Sequence, residues 1–227
     1  MMDKVVLGKG CFVEDEIGVM RPNNNQIVVG CSGTGKSLSV MLPTILNMNE
    51  SSMIGTFAKA GEARKVATYQ KTKGYVTEIC DLMDPEGSTI GFDPLHYVSS
   101  YLDVEDLSKS IVLADPNSNN PKDIYWNDAA TSLLTALILG VMMTEENPTM
   151  TDVLEMFDDM KIEEDGKGIK CSLDHFFARI KSKAGNCQAV SAYSDFVQLP
   201  YGTAGCVRDS LAKCLRRLFP EPIRQMM

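Results

Sequence analysis

The 227-residue sequence lacks an excess of positive charge, a paired-cysteine motif and an apolar run long enough to span a membrane. Its formal net charge is −8 and its isoelectric point is about 4.8. A protein that binds nucleic acid over its whole surface is basic. Any DNA contact must therefore be confined to a local surface or be assembled from several copies of the chain.

The cysteines exclude two further classes of protein. There are seven of them, an odd number, and no two stand in a C-x-x-C pair. This pattern argues against a disulfide framework and against a zinc site, and it favours reduced thiols in the cytoplasm. His96 and His175, the two histidines, are too far apart in sequence to suggest a pair of metal ligands.

The longest apolar run, residues 133–143, is shorter than the roughly 20 apolar residues that a transmembrane helix needs. Thr135 interrupts the run and Glu145 follows it, so we expect a buried helix of a soluble domain. The first residues alternate charged and apolar side chains and include glycines, which is not the pattern of a secretory signal.

Strand and helix patterns alternate over the first hundred residues. Apolar segments followed by helical periodicity predict parallel strand pairing and an α/β sheet. A helix is predicted after Lys36, with a kink or limit at Pro43, and a second helix is predicted to end at Gly74. The predicted strands are 5–7, 11–13, 17–20, 27–29, 52–56 and 75–81, with a turn at 23–25 and the second helix at 61–73.

From Asp103 onward the sequence shows helical periodicity and no convincing strand. Asn127 is a plausible N-cap for the long apolar helix. We therefore predict two domains, the α/β part at 1–102 and an all-α part at 103–227. The predicted helices are 103–114, 127–144, 149–160, 173–183, 189–199 and 203–219, with a polar loop at 117–120 and a charged loop at 163–168.

A glycine-rich segment between a predicted strand and a predicted helix has the residue pattern of an anion-binding site. It fits the pattern G-x-x-x-x-G-K-[ST], in which glycines let successive backbone amides face one anion and the following helix adds its positive dipole end. Such loops bind ATP with Mg²⁺: Lys36 is the catalytic residue that reaches the β- and γ-phosphates, and the Ser37 hydroxyl is the metal ligand. The predicted binding residues are Gly30, Cys31, Ser32, Gly33, Thr34, Gly35, Lys36 and Ser37.

The second half of a hydrolytic site is not evident. Hydrolysis also requires a carboxylate at a strand end to hold Mg²⁺ and a residue that orients water. No apolar strand in the sequence ends in Asp-Glu. Asp81 and Asp115 follow apolar stretches, but each is better explained as a cap or turn residue. We expect this chain to bind nucleotide and to be inactive alone.

Three stretches together resemble a known family. The segment "NNNQIVVGCSGTGKSLSVMLPTILN" resembles the phosphate-loop region of TraG-type coupling proteins, the conjugative DNA-transfer ATPases of type IV secretion systems. A second stretch resembles the family's Lys-Gly-Glu turn, Gly-Tyr strand and Asp-Pro-Leu segment, and a third resembles the Trp-containing start of its helical subdomain. The matching residues are Lys59, Gly61, Glu62, Gly74, Tyr75, Asp93, Pro94 and Leu95, then Trp126, Ala129, Leu133, Leu134 and Ala136.

The resemblance implies a RecA-like P-loop NTPase half sheet followed by an all-α subdomain. It implies a homo-hexameric ATPase that receives a single-stranded DNA–relaxase complex and drives it into the channel proteins of a type IV secretion system. The chain would be a cytoplasmic fragment of a protein anchored at the inner face of the bacterial cell membrane through segments absent here. Phe57 stands where the family has Asp, and Ala60 separates Lys59 from Gly61, so these features depart from the pattern.

Two other functions are consistent with the residues. One is a small P-loop kinase that phosphorylates a metabolite, and the other is a nucleotide-binding module without turnover. The resemblance also places DNA contacts on the helical subdomain, where a basic helix face is a candidate. A solvated surface explains that face more simply, and its residues are Arg208, Lys213, Arg216 and Arg217.

Overall fold

The computed structural model describes residues 3–15, 26–114, 124–166 and 168–227. The chain divides into two compact units, one of Met1–Asp81 with Gly87–Ile90 and one of Leu82–Glu86 with Gly91–Met227. The predicted domain boundary at 102/103 lies later in the chain. The strand predicted at 17–20, the turn at 23–25, Asp115 and the loop at 117–120 lie outside the described residues.

The first unit contains a β-hairpin and two helical segments. Strands β1 (Asp3–Gly8) and β2 (Cys11–Asp15) pair antiparallel, and they confirm the strands predicted at 5–7 and 11–13. Helix α2 (Ala60–Thr72) confirms the helix predicted at 61–73. Gly74 has a φ of +92° directly after it, which is the left-handed conformation that ends many helices.

Pro43 loosens the helix that follows the glycine-rich loop but does not end it. Residues Ser37–Met41 form a π turn, and α1 (Leu42–Leu46) continues from it. The amide of Leu42 donates to the carbonyl of Ser37, five residues back. Since proline has no N–H to donate and its ring clashes with the preceding turn, a wider turn before Pro43 is the expected local irregularity.

Three segments predicted as strands have no regular secondary structure: 27–29, 52–56 and 75–81. A strand requires a paired neighbour, and within the described part of the first unit the only strand pair is β1–β2. The side chains of Ile27 and Ile54 are consequently 91% and 102% exposed. Segment 75–81 does retain a strand-like alternation of half-buried and exposed residues, and its Ile79 carbonyl accepts a 2.8 Å bond from the Thr89 amide.

The second unit is mainly helical, and two of its helices begin with capping boxes. Ser100 and Asp103 exchange side chain–backbone hydrogen bonds at the start of α3, and Thr149 and Asp152 do the same for α5. A 3₁₀ turn at Pro94–Tyr97 precedes them. The helices are α3 (Tyr101–Leu113), α4 (Ile124–Thr144), α5 (Met150–Asp158), α6 (Asp174–Ala184), α7 (Gln188–Val197), α8 (Tyr201–Leu218) and α9 (Glu221–Arg224).

Helix α4 is the centre of the second unit's core. Leu133, Leu134, Leu137 and Ile138 are fully buried in it, as the apolar run at 133–143 predicts. Over the described part of the chain, α4 is the one helix long and apolar enough to cross a membrane, and more than half of its apolar window is buried inside this unit. Its contacts with α3, α5, α7 and α8 are those of a core helix in a bundle.

Two predictions for this unit are wrong. The region after Asp103 contains a β-hairpin of β3 (Ile162–Asp165) and β4 (Gly168–Cys171), placed where a charged loop was predicted. The acidic residues of β3 are exposed, whereas Ile169 and Cys171 of β4 are buried, so only one face contributes to the core. Asn127 is not an N-cap, since α4 already includes Ile124.

Asp93 joins two segments that are 57 residues apart. Its carboxylate is 3% exposed; Oδ1 accepts the Leu95 amide and Oδ2 accepts the Met150 amide, both at 2.8 Å. The first bond caps the 3₁₀ turn and the second satisfies an amide in the first turn of α5. One buried carboxylate therefore fixes both helix starts.

We expect Asp93→Asn to lower the unfolding free energy of the second unit by about 1–3 kcal/mol, because an amide oxygen can replace only one acceptor and leaves a buried N–H unpaired. Urea unfolding followed by the fluorescence of Trp126, the single tryptophan, measures the change. Asp106→Asn, at an exposed carboxylate of α3, is the control and should change the value by under about 0.5 kcal/mol. Equal stabilities of the two variants would contradict this role of Asp93.

Candidate functional site

The glycine-rich loop lies in the first unit between the unpaired segment 26–30 and the π turn. Gly33 and Gly35 have φ values of +81° and +80°, a region that side chains with a Cβ rarely adopt. Gly30 is constrained differently, since a Cβ there would lie 2.9 Å from the Thr34 hydroxyl oxygen. All three glycines of the loop, of which Gly30 and Gly35 belong to the pattern, therefore have a local structural reason to be glycine.

The Lys36 side chain folds back across the loop and bonds to its first residues. Its ammonium group donates to the carbonyl oxygens of Gly30 and Cys31, at 2.6 Å and 2.7 Å. The Thr34 hydroxyl also donates to the Cys31 carbonyl at 2.8 Å. These bonds direct the lysine side chain across the loop and hold its positive charge beside the backbone that precedes the helix.

Several backbone amides of the loop have no backbone acceptor. Within the described residues, the amides of Gly33, Gly35, Lys36 and Ser37 have no backbone acceptor, and the Ser37 hydroxyl makes no hydrogen bond. They lie at the N-terminal end of a ten-residue helical segment, 37–46, where amides are free and the helix dipole is positive. Most of the loop is exposed, with only Gly35 and Lys36 half-buried.

This arrangement fits the phosphates of a nucleotide. Four amides without a backbone acceptor and one ammonium group supply donors and positive charge to an anion, and the exposed Ser37 hydroxyl is available as a ligand for Mg²⁺. All eight residues predicted from sequence, Gly30 to Ser37, lie in one continuous loop. Across residues 3–15, 26–114, 124–166 and 168–227 there is no cluster of three or more His, Cys, Asp or Glu side chains that could hold a metal ion by itself.

Asp81 has a structural role in the first unit. Its carboxylate lies 3.5 Å from the Arg64 guanidinium, and its backbone amide donates to the Ser88 hydroxyl at 2.7 Å. The carboxylate is largely buried, with 10% of the side chain exposed. These contacts agree with its interpretation as a turn residue.

The Lys-Gly-Glu region begins α2. Lys59 is the residue before the helix, and its ammonium lies 3.9 Å from the Glu62 carboxylate, one turn further on. Phe57 packs its ring over Gly55, where a Cβ would lie 3.0 Å from a ring carbon. An aromatic ring at this position contributes packing and no charge.

The basic face of α8 is partly engaged inside the second unit. Arg208 donates through Nε to the Met160 carbonyl at 3.3 Å, and its guanidinium lies 5.6 Å from the Phe157 ring centre. Lys213, Arg216 and Arg217 are exposed. Arg208 therefore packs against the end of α5, and the structure does not bring the four basic side chains into one site.

Sequence reasoning missed Asp3. This carboxylate is 1% exposed and accepts the amides of Glu50 and Ser51 at 2.8 Å and 2.9 Å, together with the amide of Asn49. Its partners lie 46–48 residues away, directly after α1. A lone acid in an N-terminal strand has no local pattern that predicts such contacts.

The family model described as "Type IV secretory system Conjugative DNA transfer" matches residues 3–226. No curated protein and no solved structure matches the chain.

Proposed function

Because the chain belongs to the type IV secretory system conjugative DNA transfer family, we propose that its glycine-rich loop binds ATP with Mg²⁺ in support of that transfer. The observation that carries the proposal is the loop at the helix N-terminus, with amides that have no backbone acceptor and with Lys36 lying across it. Lys36 would contact the β- and γ-phosphates, and Ser37 would ligate the metal.

The proposed chemistry of this chain is binding. When present, Mg²⁺ would neutralise phosphate charge, while the residues of the loop orient the nucleotide and supply hydrogen-bond donors. The sequence has no apolar strand ending in an acid pair, and Asp81 is engaged with Arg64. We therefore expect negligible phosphate release from the chain alone. A small kinase is less well supported, since Arg208 packs on Met160 and Phe157 and is not placed in a lid.

Calorimetry on the 227-residue chain tests the proposal. We expect MgATP and MgADP to bind to the wild type, with a loss of at least about tenfold in affinity for Lys36→Ala, because a charge-assisted phosphate contact is removed. Phosphate release measured on the same samples should be negligible. Robust hydrolysis that Lys36→Ala abolishes would refute a binding function without turnover.

A matched variant and an independent probe sharpen this test. Lys59→Ala removes an exposed lysine of the same unit, outside the loop, and should leave nucleotide affinity unchanged. Cys31 is an exposed free thiol inside the loop, so bound MgATP should slow its alkylation, as read by peptide mass spectrometry. Equal alkylation rates with and without MgATP would place the nucleotide elsewhere.

We also propose that segments 27–29, 52–56 and 75–81 are strands of a RecA-like parallel sheet in the functional protein. Supporting this are the exposed Ile27, Ile54 and Val76, since burying each would contribute about 1.5–3 kcal/mol. Hydrogen exchange on the functional protein should show slow amides in all three segments. Fast exchange there would exclude paired strands.

For the protein in the cell, we propose that nucleotide binding at this loop drives transfer of a single-stranded DNA–relaxase complex through the secretion channel, within a homo-hexamer at the inner face of the cell membrane. The family match supports a role in DNA transfer. Donor cells carrying Lys36→Ala should lose plasmid transfer, whereas Lys59→Ala donors should retain it. Wild-type transfer by the Lys36→Ala donors would contradict the proposal.

A further inference from the structure

The end of the helical segment behind the loop is held by side chains of α2. The Gln70 side-chain amide donates to the Ile45 carbonyl at 2.6 Å. The Lys73 ammonium donates to the carbonyls of Leu46 and Met48, at 2.8 Å and 2.7 Å. The Ile45 and Leu46 carbonyls lie in the last turn of the helix and the Met48 carbonyl lies just after it, so Gln70 and Lys73 supply donors at the point where intrahelical bonding ends.

The backbone amides that follow this helical segment are held by a residue near the N-terminus of the chain. The Asp3 carboxylate, at the start of β1, accepts the amides of Asn49, Glu50 and Ser51. Burial raises the pKa of Asp3, but the hydrogen bonds from Ser51, Asn49 and Glu50 outweigh that effect, and its pKa lies below the ordinary value. The carboxylate is therefore ionised at neutral pH and can accept all three bonds.

Strand β1 also contacts the helix itself. The Val6 amide donates to the Thr44 hydroxyl oxygen at 3.0 Å, and that hydroxyl lies 3.5 Å from the Val6 carbonyl. The partners are 38 residues apart in sequence. Together with the bonds of Asp3, Gln70 and Lys73, this contact fixes residues 44–51 from both sides; we call these contacts the helix anchor.

The helix anchor lies at one end of the segment and the phosphate donors at the other. Seven residue steps, from Ser37 to Thr44, separate them, a length of ~10 Å. A tilt of about 10° at the anchor would move the far end by ~1.8 Å. Displacements of about 1 Å are enough to weaken precisely oriented contacts.

We propose that Asp3 is a positioning residue for the nucleotide site, acting through the helix anchor on the amides at Lys36 and Ser37. The inference rests on the proposed binding of MgATP. Asp3 is the member of the anchor with the most bonds, since one buried carboxylate orders three consecutive amides. A residue that only stabilised the fold would change the melting temperature and leave nucleotide affinity unchanged in the folded protein.

Asp3→Asn tests this with little change of volume. The amide oxygen can accept only part of the three bonds, and the NH₂ group faces amide donors. If the fraction of molecules with a correctly placed loop falls to about a tenth, the apparent Kd for MgATP rises about tenfold. The matched control is Glu14→Gln, the same carboxylate-to-amide change on the paired strand β2, next to Lys4. It should leave the Kd unchanged.

Two measurements on the same samples separate the outcomes. The first is the Kd for MgATP at a temperature where both variants are folded, and the second is hydrogen exchange of the amides at 39–46 without nucleotide. A weaker Kd and faster exchange in Asp3→Asn alone support the proposal. Wild-type Kd and wild-type exchange in that variant overturn it.

Failure of the proposed function is distinguishable from failure of this inference. If the wild type binds no MgATP, the exchange measurement decides: faster exchange at 39–41, the end next to the loop, supports positioning by Asp3, and unchanged exchange there overturns it. If Asp3→Asn does not fold, Lys73→Met removes two bonds of the same anchor from a side chain at the end of α2. It should weaken MgATP binding by about threefold, and an unchanged Kd would overturn the role of the anchor.

Discussion

The backbone groups on either side of the end of α1 depend on partners far away in the sequence. The carbonyls at the end of a helix lack intrahelical N–H donors, and the turn after it leaves amides without acceptors. A buried or half-buried helix end must therefore be satisfied by other elements. Here Asp3 supplies the acceptor, and Gln70 and Lys73 supply the donors. The proposed positioning of the loop before this helix rests on these bonds.

The two units obtain their order by different means. In the second unit the apolar helix α4 buries its side chains among α3, α5, α7 and α8, so burial of apolar surface determines the arrangement. The described part of the first unit has little buried apolar surface, and hydrogen bonds from charged and amide side chains tie its elements together. The proposed binding loop lies on such a unit, so we expect it to be sensitive to single polar substitutions.

The sequence was sufficient to predict features that depend on residues close together in the chain. The glycine pattern predicts the loop, the period of the apolar residues predicts α2 and the helices of the second unit, and Gly74 predicts a helix end. It was insufficient for β3–β4, because Glu163 and Glu164 make the exposed strand resemble a loop, although the alternation of Ile169 and Cys171 was a usable signal. Asp3 and Asp93 act across 46–57 residues, beyond any local pattern.

Gly140 has a consequence for the relatives of this chain. It lies inside α4, where a Cβ would be 2.9 Å from the ring of Phe176 and 3.4 Å from that of Phe177, so the absence of a side chain sets how closely α6 approaches the core helix. A larger residue at this position requires a smaller one at Phe176, or a wider spacing of the two helices. In an alignment of the family, these two positions should therefore vary together rather than independently.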